Sequence, residues 1–292
     1  MYYLSFLALG DNLISLSMLE QLDDKVKILG TKHTQNVAKL MGIENKFDIK
    51  IVFDDIPAFY DIKKQGILKA IKDFFNFIKY IRSNNITGIV FEKKDFRSSL
   101  ISLLTKANIY YPNNLNLNVY ENRKELISTV YKQSINMNSY ALKIENPKMI
   151  LINPVTRAEV RNIKCNHLKY IIDILKKNGY EIYLIDIEKK YIEFERVVDK
   201  YLTNTSLDDV KQLIKKCDLY IGGDSFLIHL AYYLKRNYFM ILYRNNDDFL
   251  PPNIESNFYI KAHESDDFQV NIKEKFINIG LIIENINHNS GI

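Results

Sequence analysis

The sequence predicts an α/β protein made of two Rossmann-like halves with parallel sheets, facing each other across a cleft. Three observations carry this. Short apolar runs alternate with amphipathic helical patterns, which argues for parallel strands with crossover helices. The alternation pauses once, near residues 139–148, and then restarts. Acid and glycine motifs follow strands in both halves, where open α/β sheets take their ligands.

In the first half, Tyr3–Leu9 reads as a strand and Asn12–Leu22 as a helix. Val26–Leu29 and Thr34–Met41 repeat that pair, and Ile49–Phe53 is a third strand. A long helix is expected over Ile62–Ser83, a strand at Ile89–Phe91 and a helix at Ser98–Ala107. Glu121–Asn138 reads as a polar helix, and Ser139–Lys148, with Pro147 near its end, as loop. In the second half, strands are expected at Met149–Asn153, Glu181–Ile185, Leu219–Ile221 and Phe239–Tyr243. Helices are expected at Asn166–Asn178, Ser206–Lys216 and Ser225–Leu234. Ser206 is a hydroxyl cap before the first-turn acids Asp208 and Asp209. A last helix near Ile272–Ile283 is a candidate to pack back on the first half. Domains are therefore expected at 1–145 and 146–292.

Bulk properties narrow the function class. The chain has 292 residues, 47% hydrophobic and 26% charged, as a soluble globular protein has. No apolar run reaches the roughly 18–20 residues of a membrane span. The start, MYYLSFLALGDN, has no basic region before its apolar stretch, so a buried strand fits it better than a signal peptide. Cys165 and Cys217 show no metal or redox spacing and point to reduced thiols and a cytoplasmic location. The net charge of +5 is weak evidence for an anionic partner. The 20 tyrosines are dispersed, and no arginine cluster accompanies them, so nucleic acid is not the expected partner. The Asn-rich stretch 113–118 is the one compositionally biased segment.

The most informative segment is Leu219-Tyr-Ile-Gly222-Gly223-Asp224-Ser225, followed by His229. Two glycines after a strand permit a tight turn and close ligand approach. The helix that follows offers N–H groups and a positive dipole end to an anion, above all a phosphate. Ser225 can add a hydroxyl and His229 a ring N–H. Asp224 also suits a plain N-cap. After the first strand comes Leu9-Gly10-Asp11-Asn12, where Asp11 reads either as a cap or as a carboxylate placed for proton transfer. After the strand that opens the second half come Thr156, Arg157, Arg161 and Lys164, candidates to neutralise a leaving phosphate. Asp186 and Glu188 follow a strand at a position that commonly binds ribose, with Glu188 preferred. Asp95-Phe96-Arg97-Ser98 precedes a helix, where Arg97 is either an anion contact or an exposed residue beside a cap. The stretch 63–82 is basic and amphipathic, compatible with an anionic membrane surface or with a helix packed on the sheet. The acid pairs, such as Asp54-Asp55 and Asp208-Asp209, have no metal-binding spacing, and no metal or other cofactor is expected.

Gly222-Gly223-Asp224-Ser225-x-x-x-His229-x-Ala231 resembles the C-terminal signature of glycosyltransferase family 9, the heptosyltransferases of lipopolysaccharide core synthesis. The resemblance extends, in order, to Gly10-Asp11, to the segment around Arg97 and to Thr156–Arg161. It implies a GT-B fold and an inverting, metal-independent transfer of heptose or a related sugar. The donor implied is a nucleotide diphosphate sugar such as ADP-heptose. The acceptor implied is a lipopolysaccharide core or surface glycan, lipid-linked or oligosaccharide, at the inner face of a bacterial inner membrane. It makes Asp11 the catalytic base. It places Thr156, Arg157, Arg161, Glu188, Gly223, Asp224, Ser225 and His229 on the donor and Arg97 on the acceptor. One departure stands out: the family's glycine after the hydroxyl residue is Phe226 here. That residue supports a second reading, a catalytically silent relative that binds a nucleotide or a partner enzyme.

Overall fold

Tyr2–Ser5 (β1) is the middle strand of a five-stranded parallel sheet and opens the first of two compact units, Met1–Met137 and Asn138–Ile292. The computed structural model describes residues 1–112, 117–138, 140–245, 247–252, 254–262 and 267–282. Most of the Asn-rich stretch, Ser139 and residue 283 lie outside them.

In the first unit β1 is followed by α1 (Leu9–Leu19), β2 (Val26–Thr31), α2 (Lys32–Met41), β3 (Phe47–Phe53), α3 (Ile62–Gln65) and α4 (Ile67–Ser83). Then come β4 (Gly88–Val90), α5 (Phe96–Thr105), β5 (Asn108–Tyr110) and α6 (Val119–Tyr131). The sheet order is β3-β2-β1-β4-β5. Tyr3 pairs with Ile28 on one side and Val90 on the other. The core under this sheet is aromatic: Phe6 meets Phe53 and Phe77 edge-on at 5.3 and 5.1 Å. Such contacts add to the burial of large rings.

The second unit contains β6 (Met149–Asn153), α7 (Cys165–Lys177), β7 (Glu181–Ile185), β8 (Lys200–Leu202), α8 (Leu207–Lys216) and β9 (Leu219–Gly223). It continues with α9 (Phe226–Tyr233), β10 (Tyr238–Leu242), β11 (Tyr259–Lys261) and α10 (Phe268–Asn278). The order is β11-β10-β9-β6-β7-β8, again all parallel. Its core is mostly aliphatic, with Ile150, Ile152, Leu184, Ile221 and Ile241 buried. Strands covered on both faces are expected to be continuous apolar runs, and these are.

Several boundaries differ from the sequence reading. The first strand stops at Ser5, and Leu9, Gly10 and Asp11 already belong to α1. The apolar run Leu7–Leu9 continues into the buried face of a helix, so hydropathy alone overextends the strand. The long helix is broken at Gly66, whose φ of +85° belongs to the left-handed region. The polar helix ends at Tyr131, capped by Lys132 in a left-handed conformation. The segment expected as a loop is tied to the second unit: Tyr140 Oη donates to Arg236 O, Lys143 N to Asn237 Oδ1, and Lys148 N to Asp218 Oδ2. The helix expected over Ile272–Ile283 starts at Phe268 and buries Ile272 and Phe276 in that unit, with Phe276 on Phe239 at 5.2 Å. No helix among the described residues is long and apolar enough to cross a membrane.

Each sheet reverses its strand order once, between β1 and β4 in the first unit and between β6 and β9 in the second. Beyond the C-terminal ends of such strands the connecting loops diverge and leave a crevice. The Asp11 segment leaves β1, while the Thr156–Arg161 and Gly222–Ser225 segments leave β6 and β9. All three are therefore at switch points.

Candidate active site

In the first unit the turn after β1 is fixed from inside. Ser5 Oγ donates to Asn12 Oδ1, and Asn12 Nδ2 donates to Leu7 O. Asn12 is fully buried. Ala8 takes the extended cap conformation and α1 begins at Leu9. Gly10 therefore lies in the first helical turn rather than in a strained bend. Asp11 is the acid of that turn, where the helix dipole favours it.

Asp11 is not alone. Arg123, on α6, donates from Nη2 to Asp11 Oδ1 at 2.9 Å and from Nη1 to the Asp11 carbonyl at 3.0 Å. The same Nη2 donates to Glu92 Oε2 at 2.7 Å. Glu92 comes two residues after β4. Its other oxygen accepts from Ser15 Oγ at 2.5 Å and Tyr3 Oη at 3.1 Å. Arg123 and Glu92 are buried, whereas 22% of the Asp11 side chain is exposed. Burial raises the Glu92 pKa, Arg123 opposes the rise, and Asp11 adds to it. For Arg123, burial disfavours the charge, but Glu92 and Asp11 outweigh it and its pKa is raised. Sequence reading missed both residues. Glu92 had a signal, an acid straight after the apolar Ile89–Phe91. Arg123 had none, because its partners are remote in sequence.

Arg97 is occupied within the first unit. It pairs with Asp95, donates to the Phe59 carbonyl at 3.0 Å, and lies over the Tyr60 ring at 4.2 Å. Asp95 itself caps α5 through Ser98 N, in a reciprocal capping box.

In the second unit, the two glycines serve close packing, not a turn. Both remain in β9. A Cβ at Gly222 would lie 2.6 Å from Tyr220 Oη, and one at Gly223 would lie 2.9 Å from Arg161 O and 3.0 Å from Thr156 Cγ2. Thus Gly223 admits the loop after β6 against the end of β9. That loop is pinned by Asn162, which accepts from Thr156 N at 2.7 Å. The Thr156 hydroxyl donates within the loop, to Ala158 O at 2.8 Å or Asn162 Oδ1 at 3.2 Å.

The loop brings Arg161 to Asp224: Nη1 and Oδ2 are 2.6 Å apart. Asp224 is buried, and Arg161 is partly exposed. Ser225, not Asp224, occupies the N-cap position of α9, and Phe226, half-buried, is its first residue. His229 is buried one turn on, 6.5 Å from the Phe249 ring. Arg157 is exposed. Of the two candidate ribose acids, Asp186 is fully buried and accepts from Lys190 N, Tyr191 N and Tyr201 Oη. Glu188 is exposed and pairs with Lys190 at 2.8 Å. Only Glu188 presents its carboxylate outward. Among the described residues no three His, Cys, Asp or Glu side chains converge as a metal site would require.

The fold is shared with known structures. Escherichia coli heptosyltransferase WaaC, in complex with ADP-2-deoxy-2-fluoro heptose, superposes with a TM-score of 0.62 at 13% identity, over 95% of this chain and 99% of that one. A family 9 glycosyltransferase from Veillonella parvula gives 0.61 at 10% identity, over 95% and 96%. Escherichia coli ADP-heptose lipopolysaccharide heptosyltransferase II gives 0.56 at 12%, over 95% and 98%. At these identities the likeness establishes the fold, that of the GT-B enzymes. No curated protein sequence matches the chain. Residues 99–276, more than half of the chain, match the sequence profile of glycosyltransferase family 9 (heptosyltransferase). The match takes in α6 with Arg123, the Thr156–Arg161 loop and the Gly223–His229 segment, and it places this chain in glycosyltransferase family 9.

Proposed function

We propose that the protein transfers heptose or a related sugar, with inversion, from a nucleotide diphosphate sugar to a lipopolysaccharide core or similar surface glycan. ADP-heptose is the first donor to try, because matching heptosyltransferase structures carry ADP-heptose or its analogue. The observation that carries the reading is Asp11, a carboxylate held at a switch point with part of its surface open. In this reaction the acceptor hydroxyl attacks the anomeric carbon from the face opposite the diphosphate. Asp11 takes the hydroxyl proton, the new C–O bond forms, and the nucleoside diphosphate leaves with the electron pair.

The second unit suits the leaving group. Arg161 supplies a cation and α9 an N-terminus, together with Ser225, so charge growing on the diphosphate is met by fixed donors. This arrangement works without a metal or other cofactor. Asp224 would repel a phosphate directly, so its part is to hold Arg161. His229 is assigned to a phosphate oxygen or sugar hydroxyl, Arg157 to the donor's outer phosphate and Glu188 to the ribose. Thr156 shapes the loop, since its hydroxyl proton is already engaged. Arg97, engaged at three points, would orient the first unit's acceptor side through Asp95 and Tyr60.

The acceptor side of this reading extends to a membrane surface at the inner face of a bacterial inner membrane. One face of α4 packs through Phe74, Phe77, Ile78 and Ile81. The stripe beside it exposes Ile67, Leu68, Ile71 and Phe75 at 64, 81, 50 and 58%. Lys63, Lys64, Lys69, Lys72 and Lys79 surround them, all exposed. The packed stripe is that of a helix on the sheet, and the exposed apolar residues with their lysines support the membrane-surface reading of the 63–82 stretch.

The test is a thermal-shift screen with ADP-, UDP-, GDP- and CMP-sugars, followed by product analysis. Stabilisation by one nucleotide class, lost in Arg161→Ala, supports the donor site. Absence of stabilisation by any of them favours the silent-relative reading that Phe226 carries.

A further inference from the structure

We infer that Arg123 and Glu92 are positioning residues for Asp11: Arg123 grips its carboxylate and its main chain together, and Glu92 braces Arg123 from within the fold. The inference rests on Asp11 acting as the base and extends that role to two residues outside the recognised motifs.

The geometry is that of a fork. Two guanidinium nitrogens reach Asp11, one on Oδ1 at 2.9 Å and one on the carbonyl at 3.0 Å. Two contacts from one planar group fix both the rotation of the carboxylate and the helix start that bears it. With Oδ1 taken, Oδ2 is the oxygen that receives a proton from an acceptor hydroxyl. Arg123 is fixed in turn by Glu92, whose two oxygens accept from Arg123, Ser15 and Tyr3. Ser15 stands four residues after Asp11 on α1 and reaches the Asp11 carbonyl at 3.0 Å. The chain of contacts therefore closes on the element it starts from.

Stability alone does not call for this arrangement. The cluster sets one buried and one partly open carboxylate against a buried guanidinium, and a buried ion pair is often replaced by apolar side chains without loss. Burial and the Asp11 charge both raise the Glu92 pKa, so the second acid is held at a cost. What it supplies is direction. Displacing a reacting group by about 1 Å costs roughly a hundredfold in rate.

The experiment measures ADP release from ADP-heptose, with a heptose-deficient lipopolysaccharide core as acceptor. Wild type, Asp11→Asn, Glu92→Gln and Arg123→Lys proteins are compared, with Tm recorded for each. Glu92→Gln keeps the size of the side chain but replaces its charge-assisted bond to Arg123 with a weaker amide one, so the brace loosens. Arg123→Lys keeps the charge but cannot make the fork. Both are expected to lose about tenfold to a hundredfold in kcat, with KM for ADP-heptose within twofold. Wild-type kcat in both, beside an inactive Asp11→Asn, overturns the positioning role alone. Wild-type kcat in Asp11→Asn overturns the base assignment and this inference with it. A kcat loss that only follows the unfolded fraction marks a structural cluster and also overturns it. If Arg123→Lys does not fold, Glu92→Gln decides by the same measure.

Discussion

Both units pair an acid with an arginine at the switch point of a parallel sheet, with opposite results. In the first unit a buried arginine is shared by two carboxylates, and the partly open group is the acid, Asp11. In the second a buried acid, Asp224, holds one arginine, and the partly open group is the cation, Arg161. The first arrangement offers a proton acceptor, the second a seat for an anion. The difference arises from which partner is buried and how many share it. A strand-end acid read from sequence is therefore not yet a role.

The largest expected effect tests the first half of that contrast. Asp11→Asn keeps the shape and leaves Arg123 paired with Glu92, so the fold should persist. Transfer should fall by about 10²–10⁴ if the carboxylate is the base, measured as product formation at saturating donor. Arg161→Ala should come next. Removing a preorganised charge at the leaving group costs on the order of 10²-fold in kcat, and stabilisation by the nucleotide sugar should disappear. Asp224→Asn should do less, because Arg161 loses its anchor but keeps its charge. Equal losses in Asp224→Asn and Arg161→Ala would break the assignment of the cation as the functional member of the pair.

Much of this was legible in the sequence. The apolar runs of β6, β7, β9 and β10 are buried strands that could be read directly, and Asp11 and Gly223–His229 stood out because they follow such strands. Three edge strands did not. Asn108–Tyr110, Lys200–Leu202 and Tyr259–Lys261 are three residues each, one of them Asn or Lys, too short for a period to show. The roles within the site were also hidden. Thr156 looks like a free hydroxyl until Asn162 and Ala158 O engage it. Asp186 and Glu188 look alike until burial separates them. Arg123 sits on a polar helix among other charges, and only tertiary packing, 112 residues from Asp11, gives it meaning.

A further contrast concerns the surfaces. Among the described residues of the second unit the large exposed apolar ones are single β-branched positions, Val160, Ile187, Ile192, Val197 and Val270. In the first, four of them share the outer side of α4, among lysines. Leu68→Glu with Phe75→Glu should leave Tm nearly unchanged, since neither side chain is in the core. Flotation with anionic vesicles should drop several-fold, while kcat on a detergent-free oligosaccharide acceptor is kept. Each lysine near such a surface contributes about 1 kcal/mol, so wild-type binding should also weaken as salt rises. Equal binding of wild type and variant to anionic vesicles would remove the membrane from the reading and leave α4 as a plain surface helix.

The smallest effect sharpens the first-unit cluster through its pH dependence. Burial raises the Glu92 pKa, opposed by Arg123 and reinforced by Asp11. A carboxyl whose folded-state pKa lies above its unfolded value binds its proton more tightly when folded. Its contribution to stability is complete below the ordinary carboxylate pKa and is lost as pH rises through the raised one. The wild-type Tm should therefore fall relative to Glu92→Gln as pH climbs across that interval, and the two should run parallel above it. If the wild type instead gained stability over Glu92→Gln across the interval, Arg123 would dominate Glu92 as a simple pair. The two units would then differ only in which partner is open, not in how many acids share the arginine.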